Sequence, residues 1–222
     1  MSSGLDELAR SEASDIELAA GVALAAACFA VTFRGPRASF WSRMTATGTL
    51  LATFALQRRS ELRRLRFRPR HLVEGAAIAA GLYCIFQVGD RAVRRVMPAG
   101  AEDISSIYDL RSEQSEWLIA ARLAAIIAPA EELFWRGWLQ RSLAGRRDRW
   151  QGAALAAGAY GAVHLASGNP TLVGAASVAG AYWSTLSALD VHLESLIVSH
   201  LIWDVLIFLV APTSRGPVPT VA

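Results

Sequence analysis

Long apolar runs separated by short polar segments divide the chain of 222 residues. These runs lack the strict alternation of apolar and polar positions that is typical of strands, so we expect helices and no sheet. A helix needs roughly 17–25 mostly apolar residues to cross a hydrocarbon layer about 30 Å thick. The pattern therefore predicts an all-α, polytopic transmembrane helical bundle with about seven spans. The candidate spans are 16–33, 41–57, 71–89, 117–140, 151–168, 171–189 and 191–211.

The segments between these spans are polar and differ in character. Residues 58–70 form an arginine-rich loop, and the charged turn at 145–149 reads GRRDR. Residues 90–116 carry acids, arginines and a Pro-Ala-Gly turn, which predicts a surface loop with a short amphipathic helix. Pro129 is predicted to break the fourth span, because proline removes a backbone donor.

The chain is predicted to divide into three regions. The N-terminal region, which we interpret as variable between proteins, holds the arginine-rich loop. The middle region holds the candidate chemistry. The C-terminal region is a flexible, proline-rich tail. Their predicted bounds are 1–116 for the N-terminal membrane region, 117–212 for the core with the candidate chemistry and 213–222 for the tail.

Composition supports membrane insertion and indicates an orientation. Hydrophobic residues make up 53% and charged residues 18%, whereas soluble domains carry about 25% charged residues. All 22 basic residues are arginine, and seven of them lie in 58–70. Such a run can mark nucleic-acid binding, but cytoplasmic loops of membrane proteins carry the same excess, so we expect no nucleic-acid partner. The bias predicts a cytoplasmic N-terminus.

Six ionisable side chains of the fourth, fifth and seventh predicted spans are the candidates for chemistry, because a charge at the centre of a membrane helix costs at least ~2.5–3.5 kcal/mol on insertion scales. We therefore expect them to face one another or a wet cavity. They are Glu131, Glu132, Arg136, His164, His200 and Asp204.

Spacing refines this expectation. Counted from the 145–149 turn at ~1.5 Å per residue, Glu131 and His164 both lie about 20 Å into the membrane. Glu132 and Arg136 are four residues apart and can form an ion pair on one helix face. Glu131 lies about 100° around the helix from Glu132, so the two carboxylates point in different directions.

A carboxylate and a histidine at one depth can activate water, and further polar groups can stabilise an oxyanion. This chemistry is hydrolysis of an acyl bond within the membrane. The same Glu, His, His and Asp donors also suit a divalent metal such as zinc. A third alternative is a non-catalytic scaffold or immunity protein, in which these groups form interhelical hydrogen bonds. Composition alone leaves all three open.

Three short motifs resemble, in order, those of the CPBP family, which contains the type II CAAX-processing proteases and the bacterial Abi proteins. The segment EELFWR from Glu131 to Arg136 resembles the EExxxR motif. The segment YGAVH ending at His164 resembles FxxxH, and HLIWD from His200 resembles Hxxx(N/D). The resemblance covers about residues 117–211.

The resemblance implies an intramembrane endopeptidase of the glutamic type. Glu131 and His164 would activate the water, while His200 and Asp204 would form the oxyanion site. Glu132, Arg136 and Tyr160 would support this site.

The resemblance further implies no cofactor, with zinc as the alternative. It implies a membrane-associated protein or peptide as substrate, contact with the lipid bilayer, and location in a bacterial inner (plasma) membrane. The chain departs from the family pattern at two positions. Tyr160 replaces phenylalanine, and Asp204 stands where asparagine is common. An ionised aspartate cannot donate a hydrogen bond, so Asp204 would have to be protonated or would orient His200 instead.

Overall fold

The computed structural model describes residues 13–96, 107 and 109–211, and this part of the chain folds into seven helices without a strand. The all-α prediction is therefore confirmed. Two of the helices, α4 and α7, contain widened turns. The helices are α1 (Asp15–Arg34), α2 (Phe40–Arg58), α3 (Pro69–Val96), α4 (116–146), α5 (Arg149–Val163), α6 (Pro170–Ala188) and α7 (Leu193–Val210).

Polar side chains define where several helices begin. At α1, the Ser14 hydroxyl accepts from the backbone N–H of Glu17, whose carboxylate accepts from the N–H of Ser14. At α5, the Asp148 carboxylate accepts from two N–H groups of the first turn. At α6, Asn169 caps the first turn, and Pro170 stands where no donor is needed. Each such cap contributes about 1 kcal/mol.

Helix α4 lies at the centre of the bundle. It packs against α2, α5 and α7, while α1 packs on α2 and α5, α3 runs along α7, and α5 pairs with α6. The aromatic side chains of Phe134, Trp135 and Trp138 on α4 are buried, and they join Phe29 and Trp41 in the main hydrophobic core. This central position buries the segment of α4 that carries the first predicted motif.

Among the described residues, three helices are long and apolar enough to cross a membrane: Asp15–Arg34, Pro69–Arg91 and Leu193–Val210. The prediction of about seven spans is therefore not confirmed in its count, although each predicted span corresponds to one helix. Among the others, α5 has only 15 residues of regular helix, about 22 Å at 1.5 Å per residue.

Two local predictions are wrong. Helix α3 continues to Val96, so the predicted loop does not begin at residue 90. Nor does Pro129 break α4, because the helix widens in the turn before it, over Leu123–Ile127. In that turn the N–H of Ala128 bonds the carbonyl of Leu123, five residues back. A widened turn makes room for the proline ring and its missing donor.

Polar contacts bring three connections and the start of α1 to one end of the bundle, which we call the arginine-rich end. It comprises the start of α1 and the connections at 59–68, 147–148 and 189–192. The contacts are Arg59 Nη2 to Ser142 Oγ (3.1 Å), Arg66 N to Glu194 Oε1 (3.1 Å), Arg146 Nη2 to Asp15 Oδ1 (2.7 Å) and Arg149 Nη1 to Asp190 Oδ2 (3.4 Å).

Each of the three predicted regions includes residues that the structure does not describe. The predicted tail, 213–222, and most of 97–108 lie outside the described residues. The division into three regions stays a prediction.

Candidate active site

A cavity of about 260 Å³ lies inside the bundle, and five of the seven predicted site residues line it. They come from α4, α5 and α7, and each is at least nine-tenths buried. The structure thus gathers at one place the side chains that the three sequence motifs supply. These residues are Glu131, Tyr160, His164, His200 and Asp204.

Glu132 and Arg136, the two remaining site residues, lie behind the cavity wall. Arg136 Nη1 donates to Glu132 Oε1 at 2.8 Å, and both side chains are almost completely buried. The predicted ion pair is confirmed. Arg136 Nη2 also donates to the backbone carbonyl of Gly180 at 3.2 Å, which ties α4 to α6.

Glu132 has a second partner that the sequence analysis missed. His200 Nδ1 lies 2.8 Å from the same Oε1 atom that accepts from Arg136. A carboxylate paired with arginine accepts hydrogen bonds, so His200 Nδ1 carries a proton and donates. Glu132 therefore sets the orientation of His200, a residue of a different motif. The spacing of Glu132 and Arg136 gave no sign of this contact, because it joins two distant helices.

His164 is held by its own helix. Its Nδ1 lies 2.8 Å from the backbone carbonyl oxygen of Tyr160, one turn earlier. A carbonyl can only accept, so Nδ1 is the donor, and Nε2 of the neutral ring keeps its lone pair. The helix thus presents the basic nitrogen of His164 on the side away from its own backbone.

Glu131 lines the cavity, whereas its neighbour Glu132 does not. The predicted divergence of the two carboxylates is therefore confirmed. The Glu131 carboxylate interacts with the side chain of Tyr160, which lines the same cavity and adds a hydroxyl where the family pattern has phenylalanine. No direct hydrogen bond joins Glu131 to His164 in the described part of the chain.

Asp204 lies one turn after His200 on α7. Its Oδ2 is 3.6 Å from His200 Nε2, beyond an ordinary hydrogen bond but close enough for charge interaction. His200 therefore lies between two carboxylates, with Glu132 at Nδ1 and Asp204 near Nε2.

Aromatic rings fix the two histidines. The Trp183 ring stacks on His200 with 4.1 Å between centroids, and the Phe29 and Phe33 centroids lie 5.0 and 5.7 Å from that of His164. None of these three residues belongs to a motif, so sequence reasoning did not find them. Phe29 and Phe33 are on α1, which shows that the N-terminal helices form part of the site wall.

A zinc site requires three or more ligand side chains close together. Within 13–96, 107 and 109–211, no three His, Cys, Asp or Glu side chains are placed to hold one metal ion. The closely spaced polar groups instead form pairs, with Glu132 bonded to Arg136 and to His200. The arrangement does not fit a preformed metal centre.

Residues 113–206 match the model of the family described as Rce1-like, type II CAAX prenyl endopeptidase. The match includes all three motifs and confirms the family resemblance, over a little under half of the chain. No curated protein and no solved structure matches the chain. The family match supports an endopeptidase function, and together with the apolar helices it indicates an integral membrane protein.

Proposed function

We propose that this chain, through its Rce1-like segment, is an intramembrane endopeptidase that hydrolyses a peptide bond of a membrane-associated protein or peptide. The observation that carries the proposal is the convergence of Glu131, His164 and His200 from three helices on one buried cavity. Three buried ionisable groups from separate helices are costly in a membrane protein, and a shared catalytic role explains their position.

Water is activated between Glu131 and His164. The carboxylate of Glu131 takes a proton from the water, and Nε2 of His164 accepts the other water hydrogen in a hydrogen bond and so orients the oxygen. The hydroxide oxygen then forms a bond to the carbonyl carbon of the peptide. The resulting proton on Glu131 passes to the leaving nitrogen as the C–N bond breaks, so one water is consumed for each bond cleaved.

His200 stabilises the oxyanion that forms on the carbonyl oxygen. Its Nδ1–H is held by Glu132, so a protonated Nε2 is the nitrogen free to donate into the cavity. Asp204, 3.6 Å from Nε2, balances the charge of the imidazolium. In this role Asp204 acts through His200 and needs no proton of its own, which resolves the difficulty raised by its difference from asparagine.

Glu132 and Arg136 are positioning residues. Arg136 neutralises Glu132 within the membrane region, and Glu132 holds His200. Without this pair, His200 would lose its orienting partner. The reaction needs no metal in this scheme, and we propose that the enzyme is a glutamic-type peptidase without a cofactor.

The remaining expectations extend the proposal. The partners are the lipid bilayer and a membrane-associated substrate, without nucleic acid. The location is a bacterial inner membrane with the N-terminus in the cytoplasm, as the arginine-rich connections indicate.

The decisive experiment replaces Glu131 by glutamine, which keeps the size of the side chain but removes the base. Cleavage of a mixture of fluorogenic peptides by the detergent-solubilised protein should fall by about 10²–10⁴-fold. His164→Ala should have a similar effect, because both residues act on one water. Glu61→Gln, at an exposed carboxylate of the arginine-rich end, is the control and should leave the rate unchanged.

Activity of Glu131→Gln within about tenfold of wild type, a difference of ~1.4 kcal/mol in the barrier, would contradict the proposal. Metal chelation gives a second readout. EDTA or phenanthroline should leave the wild-type rate unchanged, whereas loss of activity that zinc restores would establish the metal-dependent alternative.

A further inference from the structure

Residues 63–70 form a basic segment between α2 and α3, at the arginine-rich end of the bundle. The segment contains five arginines and no acidic residue, and all five arginines are exposed. Among the residues that the structure describes, none of the arginine–carboxylate pairs involves Arg64, Arg66 or Arg68. These three guanidinium groups are therefore available to an anion from outside the chain.

An extended backbone arranges these three arginines side by side. Residues 65–68 are not helical, and Leu65 has an extended conformation, with φ −55° and ψ 135°. Side chains alternate between the two sides of an extended chain, so every second residue lies on the same side, about 6–7 Å from the next. Leu65 packs against the main hydrophobic core. Arg64, Arg66 and Arg68 therefore lie on the side away from the core, and we call them the arginine row.

The bundle fixes the backbone of the arginine row and leaves its guanidinium groups outside. The N–H of Arg66 donates to Glu194 Oε1 at 3.1 Å, and the N–H of Arg68 donates to His71 Nδ1 at 3.3 Å. Both contacts use main-chain atoms of the segment, so the charged ends of these arginines take no part in them. Arginines on a backbone that is already ordered lose less conformational entropy when they bind a ligand.

Apolar side chains beside the arginine row place it at the level of the lipid headgroups. The helix Pro69–Arg91, which is long and apolar enough to cross a membrane, begins directly after the row. Leu72 and Val73 near its start are 54% and 73% exposed, and Phe67, within the segment, is 53% exposed. Exposed Trp150 lies at the same end of the bundle. Aromatic residues and arginines concentrate where membrane helices meet the headgroups, so lipid surrounds this surface.

We propose that the arginine row is a binding site for the phosphate groups of anionic phospholipids, with phosphatidylglycerol as the simplest example. Arginine suits this ligand because its planar guanidinium donates two parallel hydrogen bonds to one phosphate. The phosphates of a nucleic acid would satisfy the same charge, but the lipid-facing side chains of Phe67, Leu72 and Val73 favour a ligand with acyl chains. The proposal does not depend on the peptidase function.

Lipid titration of the full chain tests the proposal. The protein, purified in a non-ionic detergent, is titrated with phosphatidylglycerol or with phosphatidylcholine of the same acyl chains, and the bound lipid is counted by native mass spectrometry. We expect phosphatidylglycerol to bind at least tenfold more tightly. A basic residue near an anionic membrane surface strengthens binding by about fivefold. The triple variant Arg64→Gln, Arg66→Gln, Arg68→Gln should therefore lose at least tenfold in affinity for phosphatidylglycerol and nothing for phosphatidylcholine.

A second triple variant controls for overall charge. Arg34→Gln, Arg147→Gln, Arg149→Gln removes the same number of charges at exposed positions outside the segment. It should keep the preference for phosphatidylglycerol. An equal loss in both triple variants would overturn the proposal, because the preference would then come from net charge, and so would an unchanged preference in the variant of the arginine row. If that variant does not fold, as judged by thermal unfolding without added lipid, the single variant Arg66→Gln replaces it and should lose about fivefold in affinity.

Two competitors separate a lipid from other phosphate ligands. Inorganic phosphate in large excess should not displace phosphatidylglycerol from the wild type, because the free ion lacks the acyl chains that contact the apolar surface. Displacement would show that the arginine row binds phosphate itself and would overturn its assignment to a lipid. A short single-stranded RNA should not compete either. Tight RNA binding that the variant of the arginine row loses would assign the surface to nucleic acid instead.

Discussion

Adjacent carboxylates on α4 have different surroundings and therefore different tasks. Glu131 faces the cavity and the Tyr160 side chain, whereas Glu132 is enclosed by Arg136 and His200. A helix rotates by about 100° per residue, so neighbours cannot share one direction. The two glutamine variants are thus expected to differ. Glu131→Gln should lose catalysis but remain folded, whereas Glu132→Gln should above all lose stability.

Glu132→Gln should lower the free energy of unfolding by about 3–5 kcal/mol, because it leaves Arg136 buried without a counter-charge. The measurement is thermal unfolding in detergent, beside the amount of protein in the membrane. Adding Arg136→Met should recover most of the stability, since no unpaired charge remains. Cleavage should stay low, because a neutral amide does not balance a charged His200. Recovery of activity together with stability would show that Glu132 has a structural role only.

Asp204→Asn tests whether Asp204 acts through His200. The amide keeps the shape of the side chain and can donate to an oxyanion directly. We expect Asp204→Asn to fold normally. Its cleavage rate should be at least tenfold higher than that of Glu131→Gln, although lower than that of the wild type. An Asp204→Asn variant as inactive as Glu131→Gln would instead indicate that the charge of Asp204 is indispensable.

Among the helices, α5 and α6 depend on glycine at their contact. A Cβ added at Gly180 would lie 2.7 Å from Tyr160 Cδ1, and one at Gly161 would lie 2.5 Å from Ser177 Oγ. Small residues let helix backbones approach closely where no hydrophobic effect drives association. Here the close approach also sets the position of Tyr160, whose backbone carbonyl holds His164.

Gly180→Ala should therefore disturb the active site without touching a catalytic group. We expect it to displace the Tyr160 ring and to reduce cleavage by at least tenfold, with a lower melting temperature. Gly174→Ala, on the same helix, is the matched control because its added Cβ meets no atom within 4 Å. It should be neutral or slightly stabilising, since alanine favours helix over glycine. Equal behaviour of the two variants would contradict the role of this contact.

The sequence predicted each helix because long apolar runs leave few alternatives in a membrane, and it predicted the ion pair of Glu132 with Arg136 because that contact is local. It did not predict the continuity of α4 through Pro129, since a widened turn depends on neighbouring helices that can accommodate it. Nor did it predict the contact of His200 with Glu132, which joins residues 68 positions apart.

For the whole molecule, the site extends beyond the segment that matches the family. The match covers 113–206, yet Phe29 and Phe33 on α1 contact His164, and Trp41 on α2 lines the cavity. The number of residues between each motif and the nearest turn predicted that the motif residues lie at one depth in the membrane. It could not predict which other helix forms the cavity wall beside His164. The wall of the site therefore combines residues of the predicted 1–116 region with residues of the predicted 117–212 region.

This dependence predicts how the chain behaves when it is divided. A fragment of residues 107–222 contains all three motifs but lacks α1, α2 and α3, so its cavity has no wall beside His164. We expect this fragment to be inactive towards the fluorogenic peptide mixture, whereas its coexpression with 1–106 should restore at least a tenth of the full-length rate. Helices that insert separately can associate afterwards through packing, and the contacts of α3 with α7 and of α2 with α4 supply the interface.

Phe29→Ala in the coexpressed 1–106 fragment should reduce the restored rate, while Ile16→Ala, at an exposed position of α1, should not. Full activity of 107–222 alone would show that the motif helices build the site without the N-terminal helices.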